Sequence, residues 1–240
     1  MSRWLRHGCK RCSMSPEPDW RLDAACVDVW SLSFDDAAVS AAASVLIAAE
    51  LEQASRMRAG EVRDSFIKAR AALRCLLARY LDISPLQVPL TWNQHGKPML
   101  SAEASLRFNL THTRGLAMYA VAFEREVGID AEWMDAAVDW RAVAPTVFSA
   151  HEVATLMRTP EPQQRPAFFT AWTRKEALLK GMGTGFGTSE DPQDADAWTL
   201  LELGVGAEYK AALAVHGEGT SFQHVQRRLD ADLLVRLQRP

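Results

Sequence analysis

The 240-residue sequence is poor in cysteine and contains no long apolar run. It has four cysteines, and the Cys-x-x-Cys pair of Cys9 and Cys12 lacks the second pair, or the histidine pair, that would complete a zinc site. No βαβ pattern surrounds this pair, as a thiol redox motif requires. The few thiols fit a reducing compartment, so we expect a cytoplasmic protein. Because no stretch of about 18 consecutive apolar residues occurs, we also expect no membrane span.

Basic residues are not in excess either. The sequence has 27 Lys and Arg against 30 Asp and Glu, which gives a formal net charge of −3. Proteins that bind nucleic-acid backbones usually carry a basic surplus, so we expect no nucleic-acid partner. Apolar residues make up 48% of the chain, which is typical of a globular protein with a substantial core. Any anionic ligand must therefore be bound by a local cluster of Lys and Arg.

The N-terminal segment departs from this charge balance. No acidic residue precedes Glu17, and the basic residues before it are Arg3, Arg6, Lys10 and Arg11. A transit peptide has a similar composition, but no apolar secretory core follows. We therefore predict that residues 1–20 form a disordered basic extension.

The remainder of the chain alternates between two kinds of apolar periodicity. Apolar spacings of three and four, together with capping residues, predict helices at 36–57, 61–81, 139–148, 149–157 and 164–182. Alternating and β-rich segments predict strands at 27–32, 87–92, 106–110, 116–123, 127–132, 198–203, 209–215, 222–227 and 233–237. This order of elements predicts an α+β fold with two halves of similar make-up.

Acidic residues occur at matched positions in one strand and one helix. Asp130 and Glu132 are two apart in the predicted strand 127–132, so their side chains share a face. Glu176 and Lys180 are four apart in the predicted helix 164–182, so they also share a face. Three carboxylates and a lysine that meet in space would hold a hard divalent cation beside an anionic substrate. The pattern therefore indicates a phosphoryl-transfer site, provided that the strand and the helix meet.

A run of alternating glycines follows this helix at Gly181, Gly183, Gly185 and Gly187. A dinucleotide-binding fingerprint needs a strand before the glycines and a helix after them, and neither is predicted here. No Gly-Lys-Ser/Thr ends the run, so it is not a P-loop. We predict a flexible exit from the helix.

Five short motifs occur in one order along the chain, and through them it resembles the 4′-phosphopantetheinyl transferases. The resemblance is to the large, surfactin-type branch, in which one chain contains two similar halves, and it covers roughly Arg56 to Gly187. Each motif is weak alone, but five in order are specific. The motifs are Gly96-Lys97-Pro98, Phe108-Asn109-Leu110-Thr111-His112, Val127-Gly128-Ile129-Asp130-x-Glu132, Phe148-Ser149-x-x-Glu152 and Trp172-x-x-Lys175-Glu176-Ala177-x-x-Lys180.

The resemblance implies two similar α+β halves in a pseudo-twofold arrangement. Residues 21–123 would form the N-terminal half, on the side that binds the phosphates of coenzyme A. Residues 124–240 would form the C-terminal half, which carries the metal-binding and catalytic residues. We expect a monomer that binds coenzyme A between the halves.

The activity implied is transfer of the 4′-phosphopantetheine arm of coenzyme A to a serine of an apo acyl, peptidyl or aryl carrier protein. Adenosine 3′,5′-bisphosphate would be released. Whether the carrier serves fatty-acid, polyketide or nonribosomal-peptide synthesis is left open.

The resemblance also implies roles for individual residues. Asp130, Glu132 and Glu176 would hold Mg²⁺, with Mn²⁺ as a possible substitute, and Lys180 would contact the pyrophosphate and assist the leaving group. Glu176 is the first candidate for the general base; Glu152 is the second, although its Ser-x-x-Glu spacing also predicts a capping box. Residues implied to bind coenzyme A are Arg56, Arg70, Lys97, Pro98, Thr111, His112 and Lys180.

Two other interpretations compete with the transferase. A degenerate homologue could bind carrier proteins or nucleotides without turnover, but the intact Asp130, Glu176 and Lys180 argue against it. A different Mg²⁺-dependent phosphoryl-transfer enzyme would need a nucleophile or motor motif, and the sequence contains neither.

Overall fold

A computed structural model describes residues 20–36, 42–101, 104–184, 195–217 and 222–237. Within these ranges it contains nine β-strands and six α-helices. The strands are β1 Cys26–Ser33, β2 Leu90–Trp92, β3 Pro98–Leu100, β4 Leu106–Thr113, β5 Leu116–Phe123, β6 Val127–Trp133, β7 Trp198–Leu203, β8 Tyr209–His216 and β9 Gln223–Leu229. The helices are α1 Ala48–Ser55, α2 Glu61–Leu81, α3 Trp140–Val147, α4 Ala150–Arg158, α5 Glu161–Met182 and α6 Ala231–Leu237.

These elements confirm the predicted α+β class and most of the predicted helices and strands. The predicted disordered extension falls outside the described residues except for its last position, and Gly185 and Gly187 also fall outside them. None of the described helices is both long and apolar enough to cross a membrane.

The single helix predicted at 36–57 is wrong. Only α1, at Ala48–Ser55, forms a regular helix within the later part of that range, and Ile47 before it has an extended backbone. The Ile47 N–H donates to the Glu50 carboxylate at 3.2 Å. Because this side chain satisfies a backbone donor that would otherwise be unpaired, a new helix begins here.

The strand predicted at 233–237 is also wrong, because these residues lie in helix α6. The Asp230 carboxylate accepts a hydrogen bond from the Leu233 N–H at 2.7 Å and so supports the start of the helix. Leu233, Leu234 and Leu237 then fall on one helical face, and all three are buried in the core beneath α2.

The strands form two sheets and a short ribbon. The first sheet has the order β4-β5-β1-β9, in which β9 pairs with β1 in parallel and the other neighbours are antiparallel. The second sheet, β6-β8-β7, is antiparallel throughout, and β2 and β3 pair separately. Strand β9 therefore returns the C-terminal part of the chain to the first sheet, while the division into halves at 123/124 stays a prediction.

The two sheets pack against each other through alternate residues of their strands. Val27 and Val29 of β1 and Met118 of β5 share one buried cluster with Ile129 of β6 and Leu213 of β8. Side chains at the intervening positions point to the opposite faces of the sheets, where helices cover them.

Helices complete the two outer layers. Trp30 of β1 and Tyr119 of β5 pack in the same cluster as Leu73 of α2, on the outer face of the first sheet. Ala177 of α5 packs with Ala212 of β8 on the outer face of the second. The result is an order of layers helix, sheet, sheet, helix, in which each sheet carries one long helix.

Strands β4 and β6 come together through side chains. The Asn109 carboxamide accepts from the Ile129 N–H at 2.9 Å, and the Thr113 hydroxyl accepts from the Trp133 N–H at 3.2 Å. Residues 109, 111 and 113 of β4 alternate, so they project toward the same neighbour. This junction fixes how β4 and β6 lie relative to each other.

Helix α5 lies unusually close to β6 because Gly128 has no side chain. A Cβ atom at Gly128 would lie 1.9 Å from the Ala177 carbonyl oxygen and 2.4 Å from the Gly181 nitrogen. Gly128, Asp130 and Glu132 share one face of β6 by alternation, and this face is the one that α5 covers. Close packing at Gly128 therefore brings the acidic residues of β6 to α5.

We predict that Gly128→Ala destabilises the protein by about 3 kcal/mol, because the new methyl group would overlap backbone atoms that cannot move separately. Urea denaturation of the purified variant measures the change in the free energy of unfolding. The matched control is Gly204→Ala, where an added Cβ meets nothing within 4 Å. Equal stability of the two variants would contradict the close packing.

Candidate active site

The site is built around Asp130, which lies on β6 and is only 2% exposed. Its Oδ1 accepts from the Lys180 Nζ at 2.5 Å and from the Thr111 hydroxyl at 3.1 Å. Its Oδ2 is also buried and has no hydrogen-bond partner among the residues that the structure describes. A buried carboxylate is costly unless paired, so the second oxygen is a place for a further cation or donor.

Lys180 joins the strand and the helix that the sequence pattern required to meet. Its ammonium group also donates to the Thr111 hydroxyl at 3.1 Å, and about a third of its side chain is exposed (32%). The contact with Asp130 thus links α5, β4 and β6 at one point. The expected meeting of Asp130 and Lys180 is confirmed.

Glu176 lies one turn before Lys180 and is 6% exposed. Burial raises the pKa of its carboxyl group to about 7; the negative charges of Asp130 and Glu132 act in the same direction, and Lys180 opposes them. Burial and Asp130 also raise the pKa of Glu132, whose carboxylate accepts from the Thr113 hydroxyl at 3.3 Å. Negative charge is therefore concentrated here beyond what Lys180 balances.

The three carboxylates do not form a closed metal cage. Within the described ranges, no group of three or more Asp, Glu, His or Cys side chains is arranged to hold a metal ion. The free Oδ2 of Asp130 and the raised pKa values of Glu132 and Glu176 nevertheless fit an open site. Magnesium commonly takes only one or two protein carboxylates and completes its shell with water and substrate phosphate.

Two further basic side chains, His112 and Arg70, lie near Lys180. Although the His112 side chain is exposed, its pKa is lowered by the surrounding protein and then by the positive charges of Lys180 and Arg70. Arg70 is 8% exposed and lies near Glu50, with its Nε 3.9 Å from a Glu50 carboxylate oxygen. Arg70, His112 and Lys180 therefore form a group of hydrogen-bond donors suited to an anion.

The Lys97 side chain, from the turn before β3, contacts the C-terminal end of α5. Its Nζ donates to the Gly181 carbonyl at 2.8 Å and lies 3.7 Å from a Glu126 carboxylate oxygen. Burial lowers its pKa, and Glu126 partly offsets that effect. The Asn93 carboxamide donates to the Gly183 carbonyl at 3.0 Å. The turn between β2 and β3 is thus fastened to the helix that carries Glu176 and Lys180.

Three other predicted residues have different surroundings. Arg56 is exposed and pairs with Glu52, one turn away on α1. The Glu152 carboxylate accepts from the backbone N–H and the hydroxyl of Ser149, at 2.7 and 2.8 Å, which confirms the predicted capping box. Pro98 begins β3, in the separate ribbon. The structure shows no contact between these residues and Asp130.

A cavity of about 610 Å³ with aromatic, aliphatic and charged lining residues opens beside Glu132. The sequence did not predict this cavity, because apolar residues at helical spacing on α5 are typical of core residues. Side chains that line it include Thr113, Glu132, Trp133, Val138, Phe168 and Trp172.

Comparison with known proteins agrees with this geometry. Residues 126–227 match the 4′-phosphopantetheinyl transferase superfamily, ACPS. Over 210 residues the chain is 36% identical to the 4′-phosphopantetheinyl transferase HetI of Nostoc sp.. This match covers 80% of this chain and 89% of HetI. The chain belongs to the 4′-phosphopantetheinyl transferase superfamily. It is also 38% identical to the transferase AcpT of Salmonella typhimurium over 142 residues, 55% of this chain and 72% of AcpT.

Membership of the superfamily confirms the predicted family and the predicted enzyme class. These relatives are of the HetI and AcpT kinds, so assignment to the surfactin-type branch stays a prediction. The superfamily resemblance and the site coincide in the chain, because the matched residues 126–227 include Asp130, Glu132, Glu176 and Lys180.

Proposed function

We propose that this superfamily member transfers the 4′-phosphopantetheine arm of coenzyme A to a serine of an apo carrier protein. The observation that carries the proposal is the buried Asp130 carboxylate, whose one oxygen pairs with Lys180 and whose other oxygen has no partner in the described part of the chain. Cation and anion sites of this kind, side by side, suit the metal-assisted transfer of a phosphoryl group. We further infer that the protein works as a cytoplasmic monomer without a nucleic-acid partner, which is consistent with its net charge of −3.

Asp130, Glu132 and Glu176 would hold Mg²⁺, which Mn²⁺ could replace, together with oxygens of the pyrophosphate. The bound ion would supply Lewis-acid chemistry by offsetting negative charge on the phosphates. Oxygen donors and an incomplete protein shell are what Mg²⁺ prefers. The excess of carboxylate charge over Lys180 supports this assignment.

The phosphates of coenzyme A would lie against Arg70, His112, Thr111 and Lys180. Lys180 is partly exposed, so its ammonium group can contact a phosphate oxygen on the solvent side of Asp130. Lys97 and Pro98 would form the adjoining wall, where Lys97 is 11% exposed and already bonded to α5. Arg56 would reach a phosphate only from the exposed surface.

The transfer itself requires one bond to form and one to break. The serine hydroxyl oxygen attacks the phosphorus that bears the pantetheine arm, and the bond from that phosphorus to the bridging oxygen breaks. Adenosine 3′,5′-bisphosphate leaves with that oxygen, and Lys180 stabilises its charge. Glu176 accepts the serine proton, because its carboxylate lies beside Asp130 and Lys180 at the proposed metal site.

The cavity beside Glu132 suits the pantetheine arm. The arm is uncharged along most of its length, and the cavity offers aromatic and aliphatic walls together with polar and charged side chains, which include Thr113, Arg114, Glu132 and Asp135. Which carrier protein accepts the arm is a separate matter of surface recognition.

We expect the purified protein, given coenzyme A, Mg²⁺ and an apo carrier protein, to convert the carrier to its phosphopantetheinylated form. Intact-mass spectrometry of the carrier measures the product, and a panel of acyl, peptidyl and aryl carriers addresses the choice of partner. The control is a carrier whose acceptor serine is replaced by alanine. Binding of coenzyme A without a mass increase on any carrier, with Mg²⁺ or Mn²⁺, would favour a binding module without turnover.

We predict that Mg²⁺ raises the melting temperature of the wild-type protein and has little effect on Asp130→Asn, because an ion bound only to the folded state stabilises it. Differential scanning fluorimetry measures this without turnover. Asp232→Asn is the control, since Asp232 is an exposed acid in the first turn of α6. An equal rise in Asp130→Asn and wild type would overturn the metal assignment.

We predict that Glu176→Gln lowers kcat by about 100-fold or more, as loss of a general base does. Glu152→Gln should change kcat by less than about threefold, because the amide oxygen can still accept from Ser149 in the capping box. Single-turnover rates with one carrier measure both. A larger fall in kcat for Glu152→Gln than for Glu176→Gln would make Glu152 the base. If Mg²⁺ still raises the melting temperature of Glu176→Gln, the fall in kcat of that variant comes from lost proton transfer and not from lost metal binding.

A further inference from the structure

Arg70 is a buried guanidinium group enclosed by two aromatic rings. Its Cζ lies 5.5 Å from the centroid of the Phe66 ring and 5.8 Å from the centroid of the Trp92 ring. The Arg70 side chain is 9% exposed. Its Nη1 is buried and finds no hydrogen-bond partner within the described part of the chain. Both rings therefore lie within cation–π distance of the guanidinium, and one of its nitrogens has no partner among the described residues.

Among the described residues, one carboxylate faces the positive charges of both Arg70 and Arg74. Glu50 faces two buried guanidinium groups, and it is bonded to Arg74, whose Nε lies 2.6 Å from its Oε2. Its other oxygen lies 3.9 Å from the Arg70 Nε, beyond hydrogen-bond distance. One carboxylate and two guanidinium groups leave a net positive charge, since arginine stays protonated in proteins. An anion beside Arg70 would complete the group.

Of the two aromatic residues near Arg70, Trp92 is the one that does not belong to the hydrophobic core. Phe66 lies one helical turn before Arg70 on α2 and belongs to the buried cluster under the first sheet. Trp92 comes from the β2–β3 ribbon and is 45% exposed, so its burial contributes less to stability. The next residue, Asn93, fastens the ribbon to the end of α5. The ribbon therefore sets Trp92 in relation to the helix of Glu176 and Lys180.

We propose that Trp92 is a positioning residue for Arg70: its ring restricts the guanidinium group beside the place where an anionic oxygen of coenzyme A would bind. This inference rests on the proposed function for the identity of the anion. A cation–π contact restricts the guanidinium through its attraction to the aromatic ring, which an aliphatic neighbour does not supply.

The first test compares Trp92→Ala with Trp92→Phe. We expect Trp92→Ala to raise the KM and the Kd for coenzyme A about tenfold, in line with a partly desolvated cation–π contact, while kcat changes less than about twofold. Trp92→Phe should restore most of the affinity because it keeps an aromatic face. Met99→Ala is the matched control, since Met99 is 40% exposed on the neighbouring strand β3.

The second test is a double-mutant cycle with Arg70→Met, which removes the charge and keeps an apolar side chain. If Trp92 acts through Arg70, Trp92→Ala should weaken coenzyme A binding little further in the Arg70→Met background. An unchanged Trp92 effect in that background would mean that the indole contacts the ligand directly, and would overturn the proposal. So would normal affinity in Trp92→Ala.

Isothermal titration calorimetry with coenzyme A alone separates this inference from the proposed function. If the wild type binds coenzyme A and shows the coupling between Trp92 and Arg70 but modifies no carrier, the positioning role stands and the proposed transferase activity fails. If carriers are modified normally by Trp92→Ala at low coenzyme A concentration, the transferase activity stands and the positioning role fails. Circular dichroism of each variant confirms that its fold is intact.

Discussion

The buried Asp130 carboxylate is the constraint on which the rest of the site depends. Charge that is removed from water must be paired nearby, and Asp130 is paired by Lys180 of α5 and Thr111 of β4. Three elements that are distant in sequence must therefore keep their side chains within hydrogen-bond distance. The absence of a side chain at Gly128 permits this, because any larger residue would separate α5 from β6.

The site has an acidic side around Asp130 and a basic side around Arg70, and the described protein groups do not fully balance the charge of either side. On the acidic side, Asp130, Glu132 and Glu176 share one lysine, and two of the three carboxyl groups have raised pKa values. On the basic side, Glu50 faces both Arg70 and Arg74. Each imbalance costs folding free energy by itself. Both would be relieved at once by a ligand that brings a divalent cation to one side and phosphate oxygens to the other.

Periodicity predicted the acidic side well, because it depends on local geometry. Alternation in β6 places Asp130 and Glu132 on one face, and helical spacing does the same for Glu176 and Lys180. The basic side depends on tertiary packing, which periodicity does not encode. The resemblance implied the same role for Arg56 and Arg70, yet Arg56 is exposed and Arg70 is buried near Trp92 of a distant ribbon. Helix α6 was predicted as a strand because apolar residues in a short segment fit a strand or a helix equally well.

The C-terminal segment helps to fix how the two sheets, and the acidic and basic sides that they carry, lie relative to each other. Strand β9 pairs in parallel with β1, at the opposite edge of the first sheet from β4, and α6 then packs into the core under α2. At the other edge, Asn109 and Thr113 bond β4 to the backbone of β6. The chain after α5 is therefore anchored to both sheets, and the two sheets share a buried cluster. Because separating them would expose that cluster and break the β4–β6 junction, the distance between the acidic and basic sides is a property of the core and not of a hinge.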